Sequence, residues 1–385
     1  IRPRFTKDSA GVLMSELASY KFNDSLEPLV LLEELTRKRT GAGDSVADLE
    51  RGYVALIQSP DATRDAKVFA CKQLSLIGGD AAVPVLAEML LDFDLAYMAR
   101  YALERIPGTP ALAALRNALP VVGPEHRAGI IGSLGARRDL RAIKLISASI
   151  HDSDERVAAA ALRALAQMAN AEASTALLSA VQLKEGNLKQ QAEAAYVQSG
   201  FALLDVRRSA EANKVFENAY AMMRDNPKAR AAAMRGRIAG AKNREVGKLI
   251  LEALRCDDIY IRQVAVAAAR DVSRADILRE LAEALPQLEA NEQAALVSAL
   301  GETPIKNATP LLVELAQSDS EMVRLAALQA MAPLGDAEAA LFLLKRAATA
   351  SGDEQEAARN SLARVRGADP VIIKAREEGD PELRG

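Results

Sequence analysis

The stretch Asp152-Ser-Asp-Glu-Arg-Val-Ala-Ala-Ala-Ala-Leu-Arg-Ala-Leu-Ala returns in altered form from Asp257 (Asp-Asp-Ile-Tyr-Ile-Arg-Gln-Val-Ala-Val-Ala-Ala-Ala) and from Asp319 (Asp-Ser-Glu-Met-Val-Arg-Leu-Ala-Ala-Leu-Gln-Ala-Met). Each copy sets an acidic residue to cap a helix, then a branched apolar anchor, then apolar residues on one helical face. This is the pattern of a helix that buries a single stripe. A unit this short cannot cover its own apolar face, so a chain made of copies must stack them.

With Val157 as the anchor, and Leu162 and Leu165 five and eight residues later, the equivalent positions are Phe69, Met98, His126, Val157, Ala229, Ile261, Glu292, Val323 and Ala357. Successive spacings are 29, 28, 31, 72, 32, 31, 31 and 34 residues. A period near 30 with two helices per unit predicts pairs over 45–78, 81–107, 109–135 and 139–170, a lone second helix over 227–242, then pairs over 244–272, 274–302, 306–335 and 337–367. Pro84, Pro110 and Pro310 fall where first helices start, a position at which the missing N–H costs nothing. Gly78, Gly135 and Gly301 each follow an anchor by nine residues, where a left-handed helix stop suits glycine.

Half of the residues are apolar, yet only 4% are aromatic and there is no Trp. A core of Ala, Leu, Val and Ile at close helix contacts suits helix packing and not a β sandwich. The expected fold is all-α, a right-handed α-α superhelix. Cys71 and Cys256 fall in different repeats and read as small buried apolar residues, not as a disulfide.

The repeat motif resembles that of HEAT repeats, specifically the short bacterial variety related to the phycobilisome-lyase type. Its D-x-x-V-R-x-A-A-x-x-A-L pattern stands here as Asp154 with Val157, and as Ser320 with Val323, Arg324, Ala326, Ala327 and Leu328. The resemblance covers most of 45–367 and implies a HEAT-type solenoid. It departs at His126 and Glu292, which replace the branched anchor.

The 72-residue gap leaves roughly ten residues beyond two periods. Within it, residues 193–224 are similar to a tetratricopeptide repeat, with Tyr196, Gly200, Leu203, Ala212, Phe216 and Ala219 at its aromatic, small and large positions. Arg224 stands where that repeat usually closes with Pro, and the alternative is a HEAT pair with longer helices. The organisation expected is a helical cap or linker over 1–44, N-terminal repeats over 45–170, an irregular, tetratricopeptide-like pair over 171–226, C-terminal repeats over 227–367, and a truncated repeat or tail over 368–385. Ser25 to Lys38 reads as the first clear helix, ahead of a Gly-rich loop over 40–44, whereas 1–20 show no clear period.

Nothing in the sequence points to catalysis or to a cofactor. The only histidines, His126 and His151, lack metal-ligand spacing to Cys or to patterned carboxylates, and no metalloprotease helix, nucleophile elbow or phosphate-binding loop occurs. The resemblance sharpens this, because the deoxyhypusine hydroxylases, which are HEAT-repeat enzymes, hold iron with several His-Glu pairs that this chain does not have. The HEAT-like alkylpurine DNA glycosylases would call for a basic, aromatic-bearing cleft. A net charge of −3 argues against general attraction to nucleic acid. The two sequons, Asn23-Asp-Ser and Asn307-Ala-Thr, carry no assignment.

The strongest charge feature runs from Arg224 to Lys248. Arg224, Lys228, Arg230, Arg235, Arg237, Lys242, Arg244 and Lys248 stand against Asp225 and Glu245, a net charge of +6. The first seven of these cations are the candidate partner-binding residues, the alternative being a solvated helix face. A smaller cluster, Arg137, Arg138, Arg141 and Lys144, sits at a turn between pairs. The expected function is a non-catalytic scaffold that binds a protein segment on the face lined by the second helices. Further domains of the same polypeptide are among the expected partners. The alternative is a nucleic-acid-handling or enzyme-associated HEAT protein with a basic groove carrying Tyr97, Tyr101, Tyr196, Phe201 or Tyr220. No apolar run is long enough to span a membrane. The first residue is Ile and not Met, so a removed leader fits, and with it either a cytoplasmic or a bacterial extracytoplasmic address.

Overall fold

A computed structural model describes residues 9–183, 185–242, 245–301, 309–333, 336–365 and 368–378. Among them there are helices and no strand, and they divide into two compact units, residues 1–207 and 208–385. The division falls inside the 72-residue gap.

The first unit holds α1 (Ser9–Ala18), α2 (Glu27–Ala42), α3 (Ala47–Gln58), α4 (Arg64–Ile77), α5 (Val83–Met89), α6 (Ala96–Arg105), α7 (Thr109–Ala118), α8 (Pro124–Ala136), α9 (Ile143–Ser149), α10 (Glu155–Gln167), α11 (Ala171–Leu183) and α12 (Gly186–Asp205). Helices pack in successive pairs, α1 with α2 through α11 with α12, and the even-numbered members from α2 to α12 pack on one another in order. The solenoid forms because each even helix buries residues on both flanks, one toward its pair mate and one toward the next repeat. In α10, nine residues are buried, including Val157, Leu162 and Leu165, the three placed in the core from spacing alone. Burying an aliphatic side chain of that size contributes about 1.5–3 kcal/mol.

The second unit holds α13 (Ser209–Met222), α14 (Pro227–Gly240), α15 (Glu245–Leu254), α16 (Ile259–Arg270), α17 (Ala275–Ala284), α18 (Ala290–Leu300), α19 (Thr309–Leu315), α20 (Glu321–Ala330), α21 (Ala337–Thr349), α22 (Gly352–Leu362) and α23 (Ala368–Glu378). One apolar core runs through it from Ala231 on α14 to Ala368 at the start of α23. Here again α14, α16, α18, α20 and α22 stack in order. The ten residues in excess of the period lie in long helices, above all in the 20 residues of α12. Within the gap α12 pairs with α11, and α13 with α14. In the stretch expected as a truncated repeat or tail, residues 368–378 form α23, which packs on α21, while residues 379–385 lie outside the described residues.

Several local expectations are corrected. Residues 9–18 form α1, whose Leu13 and Leu17 are buried, although no period marks them. The α2 helix runs past Gly41 to Ala42 and stops at Gly43, whose φ of 71° is the left-handed conformation glycine favours. Gly78 and Gly301 are not left-handed, with φ of −68° and −64°, and Gly135 lies inside α8. Close packing accounts for Gly135 and Gly301. A Cβ on Gly135 would lie 2.6 Å from the Cβ of Ala164 on α10, and one on Gly301 the same 2.6 Å from the Cβ of Ala330 on α20. These glycines let consecutive second helices touch. At Met98 the register slips by one, leaving Met98 half-buried and Ala99 buried in its place. Cys71 is buried, and burial pushes its thiol up to about 12, whereas Cys256 is only half-buried.

The acidic caps hold in two of the three founding copies. Asp154 caps α10 by accepting from the Arg156 backbone N–H at 2.9 Å, and Asp258 caps α16 by accepting from that of Tyr260 at the same distance. At α20 the capping position is Ser320, whose side chain makes no capping bond. The Arg156 guanidinium, at 3.1 and 2.7 Å, is the main reason the Asp154 carboxyl is held down at about 2. A carboxylate depressed in the folded state stabilises fully above its ordinary value and loses that contribution as pH falls through the folded one. Amide exchange at the first turn of α10 is therefore expected to quicken as pH is lowered from 3.8 toward about 2, after correction for intrinsic rates, and to do so less in Asp154→Asn.

Candidate functional site

The motif arginine that follows the anchor has an internal task. Arg324 donates to the Ser318 and Asp319 carbonyls at 2.8 and 2.9 Å, Arg262 to the Cys256 carbonyl at 2.7 Å, and Arg127 to the Val122 carbonyl at 3.0 Å. Gln293, which follows Glu292, does the same for Leu285 and Leu288, both at 3.0 Å. Each ties the start of a second helix to the turn that precedes it, satisfying carbonyls a turn leaves open. Glu292 itself is no anchor: it closes a capping box with Glu289 at the head of α18.

Arg230 occupies the same position after the anchor Ala229, and its Nε donates to the Tyr220 carbonyl at 3.3 Å. Its guanidinium also lies 4.6 Å from the centre of the Tyr220 ring, and that of Arg237 lies 4.8 Å from it. Arg237 makes two bonds to the Glu252 carboxylate, at 2.7 and 3.2 Å. Arg230 and Arg237 stand seven residues apart on one side of α14, engaged with α13 and α15.

Lys228 and Arg235 are likewise seven apart, but offset from that pair by two residues, or about 200° around the helix. They face the other way and line a groove of about 740 Å³ walled by α14 and α16, to which Val246 of α15, the turn Val272–Arg274 and Ile277 of α17 also contribute. Arg224 and Lys242 are exposed beyond the ends of α14, and Arg244 lies outside the described residues. Of the six described candidate cations, then, the groove gathers two.

The groove floor is apolar and small, with Ala231 and Ala232 from one wall and Val264, Ala267 and Ala268 from the other. A second groove of about 330 Å³, between α16 and α18, shares Gln263 and Ala267 with the first. Between them stands α16, whose composition and burial disagree. Nine of its twelve residues are apolar, and only Ile261, Ala265 and Ala269 are buried. Ile259 and Tyr260 are 52% and 43% exposed. A helix with so few polar residues ordinarily buries more of its surface than this. Interaction sites expose surplus apolar surface of this kind. Reading by charge alone missed it, because the signal is the scarcity of polar residues in α16.

The aromatic residues named for a nucleic-acid groove do not share one surface. Tyr196 is buried and Tyr220 is flanked by two arginines. Tyr97 is exposed with Arg100 4.9 Å from its ring centre, and Arg105 covers Tyr101 at 3.8 Å. His126 sits beside Phe93, 5.7 Å between ring centres, at a small pocket of about 250 Å³. In the smaller basic cluster, Arg137 is spent on the carbonyls of Leu103, Glu104, Ile106 and Gly108. Among the described residues no group of three or more His, Cys, Asp or Glu is placed to hold a metal ion, and no helix is long and apolar enough to cross a membrane.

Residues 278–363 match the family described as HEAT repeats. No curated protein matches the chain. Among solved structures, human deoxyhypusine hydroxylase in complex with glycerol is similar at 18% identity and a TM-score of 0.29, over 74% of this chain and 96% of that one. The complex of CpcE and CpcF of phycocyanin lyase from Nostoc sp. PCC7120 is similar at 19% and 0.32, over 66% and 94%. Kap95p in a structure with RanGDP is similar at 12% and 0.44, over 97% of this chain and 54% of that one, so the chain spans about half its length. The stretch from α17 to α22 thus matches HEAT repeats, and the same stacking of paired helices recurs in each unit.

Proposed function

We propose that the protein is a non-catalytic scaffold that holds a segment of a partner protein against α16, in the grooves that α16 forms with α14 and α18. The observation that supports this is the mismatch on α16. Ile259, Tyr260, Val264, Val266, Ala267 and Ala268 are apolar and not buried, and they border both grooves or stand beside them. Covering such surface is favourable at about 25 cal/mol per Å². Lys228 and Arg235 on the rim add orientation and discrimination between partners more than affinity.

A photo-crosslinking amino acid at Gln263, which borders both grooves, tests the reading in cells that carry the gene. Discrete protein adducts are expected there, absent when the crosslinker sits at exposed Thr175 on α11, and lost when Ala267→Asp places a charge on the groove floor. Equal adducts at both sites, or adducts indifferent to the aspartate, would overturn it.

A further inference from the structure

The groove between α14 and α16 specifies the form of what fills it. From Lys228 to Ala239 on one wall and from Tyr260 to Asp271 on the other, the lining residues recur every three or four positions over twelve residues. At 1.5 Å per residue each wall is about 16 Å long, or three helical turns. Along both walls the backbone N–H and C=O groups are bonded within the helices, and the non-helical backbone in the lining is the short turn Val272–Arg274 at one end. An extended segment laid on this floor would bury most of its own backbone groups against alanine methyls with no partner. A helix brings its backbone bonds with it. The alanines Ala231, Ala232, Ala267 and Ala268 also allow close approach of a helix axis, as small residues do wherever helices pack tightly.

Charge sets the second requirement. Lys228 and Arg235 lie two turns apart on the α14 wall, about 10 Å along the axis. Carboxylates seven residues apart on an incoming helix match that spacing, and Glu or Asp pairs of this kind flank the apolar stripe of an amphipathic helix. The same groove suits single-stranded nucleic acid poorly, because Tyr260 is the one aromatic residue in the lining on which a base could stack.

We infer that the α14–α16 groove takes a three-turn amphipathic α-helix of a partner protein, with acidic residues seven apart beside its apolar stripe, set against Lys228 and Arg235. This rests on the reading of α16 as a protein-binding surface and goes further by fixing the conformation and charge of the bound segment.

The test uses the full chain and fluorescent peptides of about fourteen residues, stapled as helices, with leucines every three or four positions and glutamates seven apart. One isomer carries lysines in place of the glutamates, and another is unstapled and interrupted by proline. Fluorescence anisotropy is expected to show the glutamate helix binding at least about tenfold more tightly than either isomer. Lys228→Glu with Arg235→Glu, both at exposed positions and with folding checked by circular dichroism, is expected to turn the preference to the lysine peptide. Equal affinity for the two charge forms, or binding of the proline peptide as tight as that of the helix, overturns the inference. So does displacement of the acidic helix by a single-stranded oligonucleotide. If no peptide binds while the adducts at position 263 still vanish with Ala267→Asp, the helix inference fails and the protein-binding reading stands. If the adducts are indifferent as well, both fail.

Discussion

Gly236→Ala is expected to destabilise the α13–α14 pair by about 1–3 kcal/mol, against the usual gain on replacing a mid-helix glycine by alanine. Gly236 is buried on α14, and a Cβ there would fall on the Phe216 ring of α13. Phe216 is fully buried, so its ring has no free space to enter. An ordinary helix position would gain about 1 kcal/mol from the same change. Removing the ring instead is expected to cost about 3–5 kcal/mol, the range for emptying a buried phenylalanine site. The two changes are coupled: in Phe216→Ala the new space accepts the methyl group, so adding Gly236→Ala should cost little or recover part of the loss. Urea unfolding followed by circular dichroism, with amide exchange read across α13 and α14, measures all three variants. Additive losses would show that ring and glycine do not share a contact. Because repeats melt in part independently, exchange localises the effect where a single midpoint would average it.

Arg137→Ala is expected to lower stability by about 2–3 kcal/mol, through the α6–α8 repeats, although the position looks like an ordinary surface cation in sequence. The guanidinium reaches across from the end of α8 to close the end of α6. It donates to Leu103 at 3.3 Å, Glu104 at 3.0 Å, Ile106 at 2.7 Å and Gly108 at 3.2 Å. A helix end leaves its last carbonyls without partners, and a planar cation with several N–H groups can satisfy a cluster of them at once. Arg137→Lys is expected to restore less than half of the loss, since one ammonium cannot span four acceptors. Faster amide exchange at the C-terminal turn of α6 is the accompanying signature. An unchanged exchange pattern in the alanine variant would show that water replaces the guanidinium without cost.

The basic stretch 224–248 illustrates how far charge counting can mislead about geometry. Read along the chain it is one cluster. Wound into α14 it becomes two opposed pairs, because a two-residue offset turns a side chain through about 200°. Arg230 and Arg237 clasp Tyr220 and bond to the Tyr220 carbonyl and to Glu252, while Lys228 and Arg235 face the groove. The helical period itself could have separated these pairs. What no period contains is which side of α14 meets α13 and α15 and which side is left open.

The repeat was legible because a helix that buries one stripe must repeat its apolar residues every three or four positions, and stacked pairs must repeat that stripe at nearly constant spacing. Val157, Ile261 and Val323 were therefore found as core residues from spacing alone, and all three are fully buried. Prolines 84, 110 and 310 marked helix starts for an equally local reason, the N–H that a first turn does not use. Glycine was misread, because its two uses leave the same letter in the sequence. Gly43 is chosen for a left-handed φ, and Gly135, Gly236 and Gly301 for the absence of a Cβ at a helix contact. Only the neighbouring helix distinguishes them. The same holds for α16. Its sequence is as apolar as that of an enclosed helix, and its neighbours α14 and α18 lie where they leave two grooves beside it. Local periodicity, set by backbone geometry, determined the architecture of paired helices. The docking of one helix on another, which depends on side chains far apart in the chain, decided which apolar residues became core and which became surface.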